Sequence, residues 1–119
     1  MQAKFIREVC KLADSMWQKR IETSLFAEWG KICLLLEDID EWIIDIKDLN
    51  PQIYMNYTRK DNYIVIQNLN KLIAYVPKEK ILIRVPYISG FNLVDDVERS
   101  VKELEVMGFS RIERFEYVV

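Results

Sequence analysis

Short apolar segments rich in β-branched residues alternate with longer amphipathic ones along this 119-residue chain, and that alternation constrains the fold more than any other feature. Arg20 to Thr23, residues 42–47 ("WIIDIK"), residues 80–88 ("KILIRVPYI") and Arg111 to about Val118 read as strands. Between them the apolar residues recur at helical spacing. Residues 3–17 carry Phe5, Val9, Leu12 and Met16, and residues 27–36 form a second helical stretch. A short helix starts at Pro51 with Asn50 as its N-cap, and Asp61 can cap a longer one over 62–75, bearing Val65, Leu69, Leu72 and Ile73. The final helix has Asn92 as expected N-cap, Asp95 at its third position, a stripe of Val94, Val97, Val101 and Leu104, and Gly108 as the stop. Strands separated by helices pair in parallel through right-handed crossovers.

A closed eight-stranded (β/α) barrel takes about 250 residues, so four strands in this length amount to half of one. An open doubly wound sheet would normally bring a Gly-rich ligand loop, and none is present. The expected fold is therefore α/β: a partial TIM-type barrel of parallel strands, about four βα units, forming one domain over residues 1–119. A net charge of −2, with basic residues interspersed among acidic ones, argues against nucleic acid and against an anionic membrane surface as partners. The longest apolar runs fall short of a membrane span, and "MQAKFIREVCKLAD" lacks the pattern of a secretory signal. A cytoplasmic location with reduced thiols is the expectation.

Histidine is absent and there are two cysteines, which removes Ser-His and Cys-His nucleophile pairs and the usual zinc ligands. Cys10 and Cys33 each lie in a helical apolar pattern without CxxC spacing, so both read as small buried residues.

Three charges stand out against this background. Residues two apart in a strand share a face. Ile43, Asp45 and Lys47 therefore point one way, and Trp42, Ile44 and Ile46 point toward the helices. In the next strand Leu82 and Arg84 point inward, while Ile81, Ile83 and Val85 meet the helices. Asp45, Lys47 and Arg84 are thus expected together on the inner face, near the C-terminal ends of adjacent strands, where (β/α) barrels bind ligands. A ligand-free buried ion cluster is the competing reading, but desolvating such a cluster costs several kcal/mol that pairing only partly returns. A zwitterion such as an amino acid would use all three: the cations for its carboxylate, the aspartate for its ammonium.

The runs "DIK", "YT…DN…NL" and "IRVPYISGFN", in this order and within a resemblance that extends over essentially the whole chain, are similar to the C-terminal half of a radical S-adenosylmethionine enzyme. The nearest type is a glycyl-radical-enzyme activating enzyme of the pyruvate formate-lyase activating kind. That resemblance implies an S-adenosylmethionine site made by Asp45, Lys47 and Arg84, with the lysine at the ligand's carboxylate and the aspartate at its amino group. It also implies a monovalent-cation site using Glu22, Thr23 and Asp45. The parent family's cofactors are S-adenosylmethionine and a [4Fe-4S] cluster, and its partner is a glycyl radical enzyme from which the adenosyl radical takes a glycine hydrogen.

The sequence also departs from the family. Neither the cluster motif C-x-x-x-C-x-x-C nor the following G-G-E occurs, and two distant cysteines do not replace it. The family's TSG turn reads "TSL" at Thr23 to Leu25, its YTG reads "YTR" with Arg59, and its PYH histidine position holds Val118. The expected function is accordingly that of a fragment or truncated form of an activating enzyme, inactive alone and holding no cofactor tightly. The alternative is a non-catalytic remnant acting as a binding or assembly module. An open barrel leaves two sheet edges unpaired, so self-association through those edges is expected.

Overall fold

The computed structural model describes residues 3–12 and 18–116, with the backbone alone over 8–12. Four strands form one sheet in the order β1-β2-β3-β4: β1 Arg20–Thr23, β2 Glu41–Asp45, β3 Ile81–Tyr87 and β4 Ile112–Glu116. Every neighbouring pair is parallel. Sequential order with parallel pairing requires each crossover to pass over the same side, which makes an arc of a (β/α) barrel and not a doubly wound sheet.

The crossovers are α2 (Trp29–Cys33), α3 with α4 (Pro51–Thr58 and Tyr63–Tyr75) and α5 (Val94–Met107). Burial alternates residue by residue through β2 and through β3 as far as Val85, after which Pro86 is buried as well, and the alternation is what a sheet covered on one face demands. Trp42, Ile44, Ile81, Ile83 and Val85 are fully buried and pack with Ile32, Leu35, Leu69, Leu72, Val101 and Leu104 from the helices. Each such side chain contributes roughly 1.5–3 kcal/mol relative to exposure. α1 (Ala3–Leu12) rests against α2, and Arg7 lies 3.8 Å from Asp38. It belongs to the outer layer and does not cover the open side of the arc.

Several local expectations need correction. The helix expected over 27–36 is α-helical only over Trp29–Cys33. Beyond it the bonds Leu35 N–H to Ile32 O and Leu36 N–H to Cys33 O close three-residue turns, the tighter winding common at helix ends. This winding buries Ile32, Leu35 and Ile39 and leaves Cys33 exposed, contrary to its expected burial. In α1, Phe5 is exposed and Ala3 is buried instead; the expected helix residues 13–17, the side chains of Val9, Cys10 and Leu12, and Val118 lie outside the described residues. The N-cap of α5 is Leu93, not Asn92, and the carboxylate that reaches back to its N–H is Asp96 at 2.8 Å, not Asp95. Asn92 is unavailable as a cap because its amide is committed to a buried network. Val94 is exposed, and Ser100 takes a buried place in the stripe beside Val97, Val101 and Leu104.

Other signals operate as read. The Asn50 side chain accepts from the N–H groups of Gln52 and Ile53, with Pro51 in the first turn of α3. Asp61 accepts from Tyr63 N–H at 2.6 Å at the start of α4, although the N-cap position itself falls one residue later, on Asn62. Gly108 ends α5 at φ +111, where a Cβ would come 3.3 Å from Ile73 Cδ1.

Candidate ligand-binding face

The uncovered side of the sheet carries the charges. Asp45 and Arg84 are register partners on β2 and β3, so period-two alternation gives them one face. Lys47, two residues past Asp45, follows the end of β2. Its ammonium lies 2.8 Å from Asp45 Oδ2, and both side chains are about one-quarter to one-third exposed (22% and 32%). The three residues that the pattern puts on the inner face near the C-terminal strand ends are there, on neighbouring strands.

Arg84 has company that the sequence reading did not foresee. Its Nη1 is 3.7 Å from Glu22 Oε1 of β1, and its Nε is 4.0 Å from Glu113 Oε1 of β4. The guanidinium carbon lies 5.3 Å from the Phe115 ring centroid, within the range of a cation–π contact. Glu113 is the register partner of Arg84. Once β4 was read as a strand, counting by two along "RIERFE" would have found both Glu113 and Phe115.

The expected cation set does not gather on this face. Glu22 pairs in register with Ile43 and faces the open side, whereas Thr23 pairs with Ile44 and faces the helices. The Thr23 hydroxyl accepts the N–H of Leu25 at 3.1 Å, closing the turn after β1, and Glu22 is engaged with Arg84. Among the described residues, no group of three His, Cys, Asp or Glu side chains is placed to hold a metal ion.

The two sites where the sequence departs from family glycines have a common conformation. Leu25 has φ +59 and Arg59 has φ +63, and they are the non-glycine residues of positive φ among those described. A left-handed backbone at a non-glycine residue is a strain of about 1–2 kcal/mol per position. At Leu25 the side chain is fully buried, and Asn68 Nδ2 donates to the carbonyls of Leu25 and Ala27 at 2.8 Å each. Arg59 ends α3 in the open, and Lys60 beside it lies 4.6 Å from the Phe26 ring centroid, joining the two turns.

Tyr54 of α3 is buried, and that burial pushes its phenol above the ordinary value, against the opposing pull of Thr58 and of the Lys47 ammonium. Beneath the strand ends lies a polar cluster that no motif announced. Asp48 accepts from Asn50 N–H at 2.9 Å, Asn92 Nδ2 at 3.1 Å and the Ser100 hydroxyl at 3.3 Å. Asp48, Asn62, Asn92 and Ser100 are all at most 4% exposed.

A parallel strand arc with helices on one side has counterparts among solved structures. Coproporphyrinogen III oxidase from Escherichia coli, a radical SAM enzyme, superposes with a TM-score of 0.67 at 15% identity, over 99% of this chain and 29% of that one. A domain of a pyruvate-formate lyase-activating enzyme from Bacteroides vulgatus superposes with a TM-score of 0.70 at 17% identity, over 93% of this chain and 68% of that one. At these identities the likeness is one of fold. Sequence relatives narrow it. The chain is 27% identical over 130 aligned positions to the (2S)-3-sulfopropanediol dehydratase activating enzyme of Klebsiella oxytoca, covering 98% of this chain and 40% of that enzyme. It is 31% identical over 108 positions to the 4-hydroxyphenylacetate decarboxylase activating enzyme of Clostridium scatologenes, covering 90% and 34%. The isethionate sulfite-lyase activating enzyme of Oleidesulfovibrio alaskensis is 31% identical over 90 positions, covering 72% and 29%. No family model matches. The sequence relatives are thus glycyl-radical-enzyme activating enzymes of the radical S-adenosylmethionine superfamily, and the chain is similar to their C-terminal part. It spans 29% to 40% of the length of these three relatives. No described helix is long and apolar enough to cross a membrane.

Proposed function

We propose that this chain forms the S-adenosylmethionine-holding wall of an activating enzyme for a glycyl radical enzyme. The observation that carries the reading is the shared face of Asp45, Lys47 and Arg84, with Glu22 and Glu113 beside them. These five side chains, two cations and three carboxylates, sum to a charge of −1 near the C-terminal strand ends. The ligand has one carboxylate and two positive centres, an ammonium and a sulfonium, so charge and donor set both fit it. Lys47 receives the carboxylate and Asp45 the ammonium, exchanging their mutual contact for contacts to the ligand. Arg84, bracketed by Glu22 and Glu113 and lying near the Phe115 ring, is a fixed positive wall beside the methionyl group.

When bound, S-adenosylmethionine supplies the adenosyl group for hydrogen abstraction from the partner's glycine. The residues of this chain do not fit a [4Fe-4S] cluster. Cys33 is exposed at the end of α2, on the layer opposite the open face, and two cysteines are fewer than the three thiolates the cluster motif supplies. No step through a cluster follows from these residues. The 119-residue chain by itself is a holder of the ligand and not a catalyst of its cleavage.

Equilibrium dialysis against S-adenosylmethionine and S-adenosylhomocysteine tests this. The second compound lacks the sulfonium charge, so this carboxylate-rich cluster should hold it more weakly. Equal binding of both, or no binding of either, would remove the basis of the reading.

A further inference from the structure

We infer that the Asp48–Asn92 contact is a latch that sets the loop bearing Lys47 against the loop that leaves β3 after Arg84. Asp48 thereby acts as a positioning residue for the ligand face. The inference deepens the ligand reading above and rests on it for its affinity arm alone.

Asp48 follows Lys47 directly and is 1% exposed. It ties down its own loop by accepting the N–H of Asn50, the residue that caps α3. Asn92 does the same on the other side. Its Oδ1 accepts Ile88 N–H at 2.7 Å and its Nδ2 donates to Pro86 O at 3.1 Å, closing the turn two residues beyond Arg84. The same Nδ2 donates to Asp48 Oδ2 at 3.1 Å, so two self-contained turns are joined at one point. Ser100 of α5 fastens the joint from below, donating to Asp48 Oδ1 and accepting Leu49 N–H at 3.2 Å. Asn62 donates to Leu49 O at 2.9 Å.

Burying a carboxylate among neutral donors confers little stability that apolar packing could not. Its distinctive effect is geometric, because each partner accepts or donates in one arrangement only. Asp45 and Lys47 sit on one side of this joint and Arg84 on the other, so the joint fixes the separation of the charges that a single ligand must span.

Asp48→Asn keeps the shape but faces the Asn92 NH2 with another NH2, and Asn92 cannot turn over without losing Ile88 N–H. The reciprocal double variant Asp48→Asn with Asn92→Asp restores a donor–acceptor pair across the joint but gives up the donation from position 92 to Pro86 O. Amide hydrogen exchange, which needs no ligand, should speed up about tenfold in Asp48→Asn, the loss of roughly one such hydrogen bond. The increase should appear in residues 47–50 and 88–93 together, with Ile44 and Ile83 unchanged, and should revert in part in the double variant, more fully at 47–50 than at 88–93, where the bond to Pro86 O stays lost. Affinity for S-adenosylmethionine should fall by a similar factor and recover likewise. Faster exchange confined to 47–50 would overturn the coupling. Loosening of both loops with unchanged affinity would reduce the network to a structural role and overturn the positioning claim. If the unsubstituted chain does not bind S-adenosylmethionine, the ligand reading fails, while the exchange pattern still decides whether the latch exists.

Discussion

The two faces of the sheet are made by the same strands and obey opposite rules. On the helix side, Trp42, Ile44, Ile81, Ile83 and Val85 are fully buried. Over the same stretch of β2 and β3 the other face presents Glu41, Ile43, Asp45, Leu82 and Arg84, all intermediate in exposure. Its charged residues meet in pairs at 2.8 to 4.0 Å that remain partly wet, and ion pairs of that kind contribute only about 0–1 kcal/mol each. One face therefore supplies the free energy of folding, and the other offers chemistry at small energetic cost. The lesson is that adjacent residues differ in role because a strand turns its side chains over at every step.

Substitutions at neighbouring positions sharpen the contrast. Ile83→Ala should destabilise the chain by about 2–5 kcal/mol, since it opens a cavity in the closed layer. Leu82→Ala, one residue away on the open face, should cost less, about 1–2 kcal/mol, because part of its area is already wet. Urea denaturation of the two variants checks this, and equal losses would erase the distinction between the faces.

A second contrast lies in the two left-handed turns. Arg59→Gly should stabilise by about 1 kcal/mol or less, relieving the strain of an exposed helix end. Leu25→Gly relieves the same strain but deletes a buried side chain, so it should destabilise by about 2 kcal/mol or more. Thermal melts of both variants give the signs directly. A gain at Leu25 would mean that its burial adds little.

The smallest effect belongs to the outer surface. The bidentate contact from Arg114 of β4 to Glu98 of α5 lowers the Glu98 carboxyl below its ordinary value and raises the Arg114 guanidinium. A depressed folded-state carboxyl lends stability that is present above its unfolded value and is lost as pH falls through the folded one. Glu98→Gln should therefore flatten the acid side of the stability profile slightly, and this difference should shrink in high salt. An unchanged acid limb would show the pair to be ineffective.

Period-two alternation made both faces legible in advance, down to Asp45, Lys47 and Arg84, because register along a strand leaves no local alternative. Helix ends were less legible. "FNLVDD" offers Asn92 as a cap by local rules, yet Asp48, distant in sequence, claims that amide and moves the cap to Leu93. Thr23 and Glu22 are neighbours in sequence and were assigned to one site, but their side chains leave opposite faces of β1. Cys33 looked apolar by spacing, and the tighter turns after α2 rotated it outward. Local pattern decides which side of an element a residue occupies, while contacts between distant segments decide which partner it finds.

Lys47→Met puts the central claim at greatest risk. Its ammonium is partly exposed and lies 2.8 Å from a carboxylate, Asp45, that is itself partly exposed, so the melting temperature should move by no more than a few degrees. Calorimetric titration with S-adenosylmethionine should show affinity falling about tenfold or more, the loss of a charge-assisted hydrogen bond worth about 1.5–3 kcal/mol. Undiminished binding by the folded variant would contradict the assignment of the open face to this ligand.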